Sequence, residues 1–197
     1  MNLVLKHSIL KIMILASFVF VIFASKLSAQ DFPPGVSESG PFDVKVTKDI
    51  MVPMRDGVKL ATDLYAPASS TGKLPTVIIR LPYIKDTYTT AVSAANYIAS
   101  HGFNVAVQDM RGRGKSEGQF LVFGNERRDG YDFIDWIIRQ PWSTDRVGSY
   151  GCSYLGENQI LLAAEKHPNH KAMIAQAAGG AIGSLDDSYK YFAAYNG

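Results

Sequence analysis

Four short runs of mostly apolar residues, separated by stretches with helical character, constrain the fold of this chain more than any other feature. The predicted strands are 76–80, 104–108, 146–150 and 172–177. The predicted helices are roughly 90–100, 126–140 and 154–167. Short apolar strands rich in β-branched residues are typical of a parallel sheet that is buried on both faces. Their alternation with helices predicts an α/β fold, with a mostly parallel sheet and helices on both of its faces.

An antiparallel hairpin is predicted ahead of the parallel strands. From residue 42 to about 50, and again over 58–65, apolar side chains alternate with polar ones, as in a strand with one buried face. The Asp56-Gly57 pair between the two segments is a turn signal. Residues 30–41 are rich in proline and glycine, so we expect them to form an extended lead-in to the hairpin.

Ser153 lies where the third predicted parallel strand passes into a helix, within the sequence SYGCSYLG. A turn of this kind strains its central residue and exposes that side chain at the edge of the sheet. Gly151 and Gly156 let the two backbones pass closely. Ser153 is therefore a candidate nucleophile, and the alternative is a serine that only caps the helix. We interpret Cys152 as a small apolar side chain packed beneath the turn, facing away from that of Ser153.

Tyr83 follows the first predicted parallel strand in the sequence RLPY. The carboxyl ends of parallel strands share one edge of a sheet, so Tyr83 and Ser153 are expected on the same face of the molecule. A phenol in that place can donate a hydrogen bond to an oxyanion. The alternative is an aromatic ring that packs beside a proline turn.

The segment 108–118 contains Gly114-Lys115-Ser116, which hints at a phosphate-binding loop. Such a loop also needs a glycine five residues before Gly114, and that position is Asp109. We therefore reject nucleotide binding and interpret the segment as a glycine-rich loop pinned by the pairing of Asp109 and Arg111.

Charge and cysteine content exclude several classes of protein. The net charge of +2 is carried by the first thirty residues, which hold three lysines and no acidic residue. The remaining chain is close to neutral and gives no electrostatic reason to expect a nucleic-acid partner. One cysteine cannot form an intrachain disulfide or a cysteine zinc cluster. We expect no metal and no cofactor.

Residues 1–29 have the pattern of a secretory signal peptide. A basic start precedes the uncharged segment 12–24, and Ala29 offers a small residue before Gln30. An uncleaved membrane anchor is the alternative, but spanning a bilayer needs about 20 apolar residues, and Lys26 ends the run early. We expect cleavage after Ala29, a secreted or periplasmic protein, and no stable membrane association afterwards.

Five motifs, taken in order, resemble the CocE/NonD hydrolase family. They are VPMRDGVKL at 52–60, RLPY at 80–83, QDMRG at 108–112, SEG at 116–118 and GCSYLG at 151–156. This is the group of cocaine esterase, α-amino-acid ester hydrolases, glutaryl-cephalosporin acylases and Xaa-Pro dipeptidyl-peptidases. The resemblance covers about residues 42–183 and implies an α/β-hydrolase fold with Ser153 as nucleophile. It also implies an oxyanion hole formed by the Tyr83 hydroxyl and the Tyr154 backbone amide, and a small ester or amide substrate, including peptides.

The histidine base that such a serine needs is missing from the expected position. His7 belongs to the predicted signal peptide, and His101 precedes a strand. His167 lies about fourteen residues along the predicted helix that begins beside Ser153, which puts it about 20 Å away. His170 lies just beyond it, also at the far edge of the sheet.

In the family that the motifs resemble, the triad Asp and His, a cap region and a β-rich C-terminal domain lie downstream. Asp186 and Asp187 follow the last predicted strand, but a carboxylate without a histidine completes no triad. We therefore expect residues 42–197 to be the N-terminal part of an α/β-hydrolase domain, truncated before the cap and the C-terminal β domain. The predicted function is that of an exported serine hydrolase represented without its triad Asp and His. The alternative is a non-catalytic remnant.

Overall fold

A computed structural model describes residues 40–178, which contain six strands and three helices. The strands are β1 (Val44–Pro53), β2 (Lys59–Pro67), β3 (Leu74–Leu81), β4 (Asn104–Asp109), β5 (Ser143–Cys152) and β6 (His170–Gln176). The helices are α1 (Thr89–Ser100), α2 (Glu126–Ile138) and α3 (Tyr154–Ala163). The predicted signal peptide, residues 30–39 of the lead-in, Asp186 and Asp187 lie outside the described residues. Within residues 40–178, no helix is both long and apolar enough to cross a membrane.

The strands form one sheet in the order β1-β2-β4-β3-β5-β6. The first two pairs in that order, β1–β2 and β2–β4, are antiparallel. The other three pairs, β4–β3, β3–β5 and β5–β6, are parallel. The predicted hairpin leading into a mostly parallel sheet is therefore confirmed. The carboxyl ends of β3, β4, β5 and β6 share one edge of the sheet, called here the carboxyl edge.

The turn between β1 and β2 forms at the predicted Asp56-Gly57 pair. Gly57 has a φ of 85°, a left-handed conformation that glycine adopts without steric cost. The Met54 amide donates to the Val58 carbonyl at 2.8 Å, and the Gly57 amide donates to the Met54 carbonyl at 2.9 Å. These two bonds close the turn and set the register of the hairpin.

Apolar side chains pack on both faces of the sheet because neighbouring residues of a strand point in opposite directions. Ile78 and Ala106, paired between β3 and β4, face the core that α2 covers. Ile79 and Val107, the next pair, face the core that α1 covers. The buried α2 side chains include Phe133, Ile134 and Ile137. Each fully buried side chain of this size stabilises the fold by about 1.5–3 kcal/mol.

Two elements differ from the predictions. β6 is not buried on both faces, since Met173 and Ile174 are 47% and 57% exposed. The reason is its place in the described sheet, where it is the last strand in the order and has β5 as its neighbour. α3 ends at Ala163 and does not continue to His167, because the chain takes a left-handed conformation at Lys166, where φ is 54°.

Candidate active site

Ser153 lies between the last residue of β5 and the first residue of α3. Its φ of 60° and ψ of −124° form a combination that residues with a side chain rarely adopt. The Ser153 amide donates to the Gln176 carbonyl on β6 at 2.9 Å. The Ser153 carbonyl accepts the amides of Gly156 and Glu157 at 2.8 and 2.9 Å. These bonds hold a strained strand-to-helix turn that leaves Ser153 exposed at the carboxyl edge.

Gly151 and Gly156 lie where the strand, the helix and β6 come closest. A Cβ atom on Gly151 would lie 2.3 Å from the Cβ of Leu155. A Cβ atom on Gly156 would lie 2.8 Å from the carbonyl oxygen of Gln176. Both distances are shorter than side-chain atoms tolerate, so glycine is required for the turn to close. The second glycine stands three residues after Ser153 because that position packs against β6.

The Ser153 hydroxyl makes no capping hydrogen bond to α3, although Ser153 occupies the N-cap position of that helix. This observation argues against a serine that only caps the helix. The first amides of a helix have no intrahelical acceptor, and the helix dipole is positive there. An oxygen that develops negative charge beside Ser153 is therefore stabilised by its surroundings.

β3 lies beside β5, and this pairing brings the Tyr83 segment to the same edge as the serine. Ile78 pairs with Ser149 in the parallel register of the two strands. The Asn158 side-chain amide on α3 donates to the Arg80 carbonyl at 2.7 Å. The helix that follows the candidate nucleophile is thus tied to the strand that precedes Tyr83.

The Tyr83 side chain is 43% exposed, and its ring packs against the Tyr88 ring at a centroid distance of 5.1 Å. Among the described residues, no hydrogen bond engages its hydroxyl. Burial, and to a smaller degree Tyr88, raises the pKa of Tyr83. The phenol is therefore a neutral donor at physiological pH. The Tyr83 ring packs against Tyr88, so it has the packing role considered as the alternative. Its hydroxyl remains available to a ligand.

The Tyr154 side chain is engaged by other residues, which leaves its backbone amide as the predicted oxyanion donor. The phenol donates to Glu126 Oε1 at 2.7 Å and accepts the Phe123 amide at 3.2 Å. Burial, followed by the charge of Glu126, raises the pKa of Tyr154. Sequence reasoning did not single out Glu126, because an acidic residue in the first turn of a helix is common for reasons of helix dipole alone.

The loop that follows β4, residues 110–118, is held by the two predicted residues, although each has its own partners. The Asp109 carboxylate accepts the Lys115 amide at 3.2 Å. Arg111 bridges two carboxylates, Asp56 at 2.8 Å and Asp129 at 2.7 Å. Both residues hold the loop as predicted, but the prediction that they pair with each other is wrong, because Arg111 pairs with Asp56 and Asp129.

A cluster of charges lies behind the Tyr83 segment, and sequence reasoning did not find it. Lys85 is 0% exposed, and its ammonium lies 2.7 Å from Asp49, 2.9 Å from Asp63 and 3.3 Å from Asp86. These four residues are called here the Lys85 cluster. Three carboxylates this close could ligate a metal ion, but the Lys85 ammonium already lies among them. No sequence signal marks the cluster, because its members come from three separate segments.

The pKa values in the Lys85 cluster favour its ionised form. Burial opposes the charge of Lys85, but hydrogen bonds to Asp49 and Asp63 outweigh it and raise the pKa of the ammonium group. Hydrogen bonds from Lys115 and Lys85 lower the pKa of Asp49 to about 2. Lys85 and Asp49 therefore both stay charged throughout the neutral range.

The three described histidines are each bonded at a place other than Ser153. Their partners are the Tyr97 carbonyl for His101 at 2.7 Å, Asp135 for His167 at 3.2 Å and Ser149 for His170 at 2.9 Å. His170 is the first residue of β6, whereas Ser153 is bonded to the last residue of that strand. A strand of this length spans about 20 Å.

Cys152 is exposed, so the prediction of a small apolar side chain packed beneath the turn is wrong. Burial alternates near the end of β5, where Gly151 is buried and Cys152 is exposed. Because successive side chains of a strand point to opposite faces, Cys152 lies on the face opposite the buried Gly151.

Comparison with known proteins agrees with the motifs. Residues 56–194 match the family model of the X-Pro dipeptidyl-peptidase (S15 family), which is more than half of the chain. Cocaine esterase from Rhodococcus sp. (strain MB1 Bresler) is 40% identical over 136 residues, or 68% of this chain and 24% of that protein. The chain spans about a quarter of the length of the curated relatives that it matches.

Solved structures share the fold. A CocE/NonD family hydrolase from Staphylococcus aureus is 28% identical with a TM-score of 0.62, over 68% of this chain and 27% of that chain. An α-amino acid ester hydrolase is 24% identical with a TM-score of 0.62, over 77% of this chain and 28% of that chain. At this identity the match is evidence for the fold only. The predicted α/β-hydrolase fold is therefore confirmed, and the chain belongs to the X-Pro dipeptidyl-peptidase (S15) family, a family of serine hydrolases.

Proposed function

We propose that this segment carries the nucleophile and the oxyanion hole of an exported serine hydrolase that acts on esters or amides. Ser153 is the nucleophile, and the Tyr83 hydroxyl and the Tyr154 backbone amide are the oxyanion donors. The observation that carries the proposal is the conformation of Ser153, whose strained turn leaves the serine exposed at a helix N-terminus without a capping bond.

The reaction follows from these positions. Ser153 Oγ forms a bond to the carbonyl carbon of the substrate while its proton passes to a base, and the carbonyl oxygen becomes an oxyanion. Tyr83 and the Tyr154 amide donate to that oxyanion. Collapse of the tetrahedral intermediate breaks the bond to the alcohol or amine, which takes up the proton, and water then releases the acyl group from Ser153. The base and its carboxylate partner lie outside the described residues.

The substrate class follows from the relatives rather than from the geometry of this segment. Cocaine esterase acts, by its name, on an ester, and the family model is that of a dipeptidyl-peptidase. We therefore propose small esters as the first substrates to test, with amides and short peptides as the second class.

Tyr83→Phe tests the proposed oxyanion hole. Here the full-length protein means this segment together with the rest of the length that its relatives have. In that protein, Tyr83→Phe should lower kcat by about 10²–10³-fold and leave KM unchanged. KM is spared because the phenol donates more strongly to the oxyanion than to the ground-state carbonyl. Steady-state kinetics on p-nitrophenyl acetate give both constants. Tyr88→Phe is the matched control, since that ring packs against Tyr83, and it should leave kcat unchanged. An unchanged kcat in Tyr83→Phe would return Tyr83 to a packing role.

We also propose that the protein is exported and that its first 29 residues are removed. The basic start, the uncharged segment and the small residue at Ala29 support this proposal. N-terminal sequencing of the protein recovered from the periplasm or the culture medium should begin at Gln30. Recovery from the cytosol with residues 1–29 intact would contradict it.

A further inference from the structure

The residue after Tyr83 has an unusual backbone conformation. Ile84 has a φ of 71°, although its side chain is β-branched and 40% exposed. A β-branched residue in the left-handed region is a genuine outlier, and such strain persists only where the surrounding structure enforces it. The Ile84 side chain is only partly buried, so its packing alone does not account for the conformation.

The enforcement comes from both ends of the segment that carries Tyr83. Before the tyrosine, the Pro82 carbonyl accepts a hydrogen bond from Arg113 Nε at 2.6 Å. After it, the Lys85 amide donates to the buried Asp109 carboxylate at 2.6 Å. The Lys85 side chain then enters the Lys85 cluster. Tyr83 and Ile84 thus lie between two fixed points.

Burying the charges of the Lys85 cluster costs free energy unless each charge is fully paired. Burial of an ammonium group is strongly unfavourable without nearby carboxylates. Here β1 and β2 supply Asp49 and Asp63, and Asp49 itself takes a left-handed conformation with a φ of 56°. Asp49 lies at the irregularity in the β1–β2 register between Thr47 and Ile50, which lets its carboxylate complete the pairing of Lys85.

We propose that the left-handed Ile84 and the Lys85 cluster position the Tyr83 hydroxyl as an oxyanion donor. This inference rests on the proposed function. An oxyanion donor has to be held within about 0.5 Å of its productive place, and a half-exposed tyrosine on a surface loop has no such restraint of its own. The left-handed conformation at residue 84 sets the direction of the chain after Tyr83, and the Lys85 cluster anchors the residue that follows. Both are positioning residues, since neither would contact the substrate.

Substitution of Ile84 separates positioning from stability. In the full-length protein, Ile84→Gly loses the packing of a partly buried side chain but relieves the left-handed strain and frees the backbone, so the melting temperature should change little. The freed segment misplaces Tyr83, and kcat should fall by about 10–10²-fold with KM unchanged. Ile84→Asn is the matched control, because asparagine tolerates the left-handed conformation. It should retain kcat within about threefold of the wild type.

A double-mutant cycle with Tyr83→Phe gives the decisive comparison. If Ile84 acts through Tyr83, Ile84→Gly should lower kcat by less than about twofold in the Tyr83→Phe background. An equal loss in both backgrounds, or no loss in the wild-type background, would overturn the positioning role while leaving the proposed function intact. No loss in Tyr83→Phe itself would overturn the proposed oxyanion hole and this inference with it.

Lys85→Met provides a second variant for the cluster. It should lower kcat more than KM, and the loss should again be smaller in the Tyr83→Phe background. Arg55→Met is the comparison, since it breaks an ion pair of 2.7 Å with Asp132 that joins the β1–β2 turn to α2. It should cost stability without changing kcat. If Lys85→Met and Arg55→Met lower the melting temperature alike and both spare kcat, the cluster is structural only and the inference fails.

Discussion

The 197-residue chain, expressed as printed, should hydrolyse p-nitrophenyl acetate no faster than its own Ser153→Ala variant. A serine nucleophile needs a base within about 3 Å of its Oγ. His101, His167 and His170 are bonded to other groups, and His7 belongs to the basic N-terminal segment. Without its base, a serine hydrolase loses up to about 10⁶-fold in kcat and keeps only the contributions of binding and of the oxyanion hole.

The comparison with Ser153→Ala matters because surface tyrosines and histidines also react slowly with activated esters. That background is the same in both proteins, so only a difference between them reports on Ser153. Turnover in the printed chain that disappears in Ser153→Ala would contradict the account, because it would require a base among residues that the structure places elsewhere or does not describe.

Much of the fold was predictable because the pattern of apolar residues reflects burial directly. The strands β3 and β4 are buried along their length, and the sequence gives them continuous apolar runs. The β1–β2 turn was predictable from Asp56-Gly57, since few residue pairs adopt its conformation. The placement of Ser153 and Tyr83 at the same edge of the sheet was predictable, because strand polarity brings the carboxyl ends of parallel strands to one edge.

The features that sequence reasoning missed depend on contacts between distant segments. Lys85 resembles an exposed loop residue in the sequence, and its burial follows from carboxylates contributed by β1 and β2. Ile84 gives no sign of a left-handed conformation, because isoleucine normally avoids it. Cys152 was predicted to be buried because neighbouring residues are small, while the alternation of β5 turns it outwards. β6 was predicted to be covered on both faces from its composition, which carries no information about its place in the sheet.

Ser153→Ala in the full-length protein should abolish hydrolysis, with a loss of about 10⁶-fold in kcat. Alanine keeps the Cβ atom, so the strained backbone at φ 60° costs the same in both proteins. The amide and carbonyl bonds of residue 153 involve the backbone alone and should be retained. We therefore expect an unchanged melting temperature beside the lost activity. Cys152→Ala, at the neighbouring exposed position, is the matched control and should retain kcat.

The identity of the nucleophile is tested most directly by trapping it. The full-length protein would be treated with an alkyl fluorophosphonate, which transfers its phosphonyl group to an activated serine and releases fluoride, and the modified peptide would be sequenced by mass spectrometry. The account predicts a single phosphonyl group on Ser153, formed in parallel with the loss of esterase activity and absent from Ser153→Ala. Loss of activity with the phosphonyl group on another residue, or full esterase activity with Ser153 quantitatively modified, would contradict it.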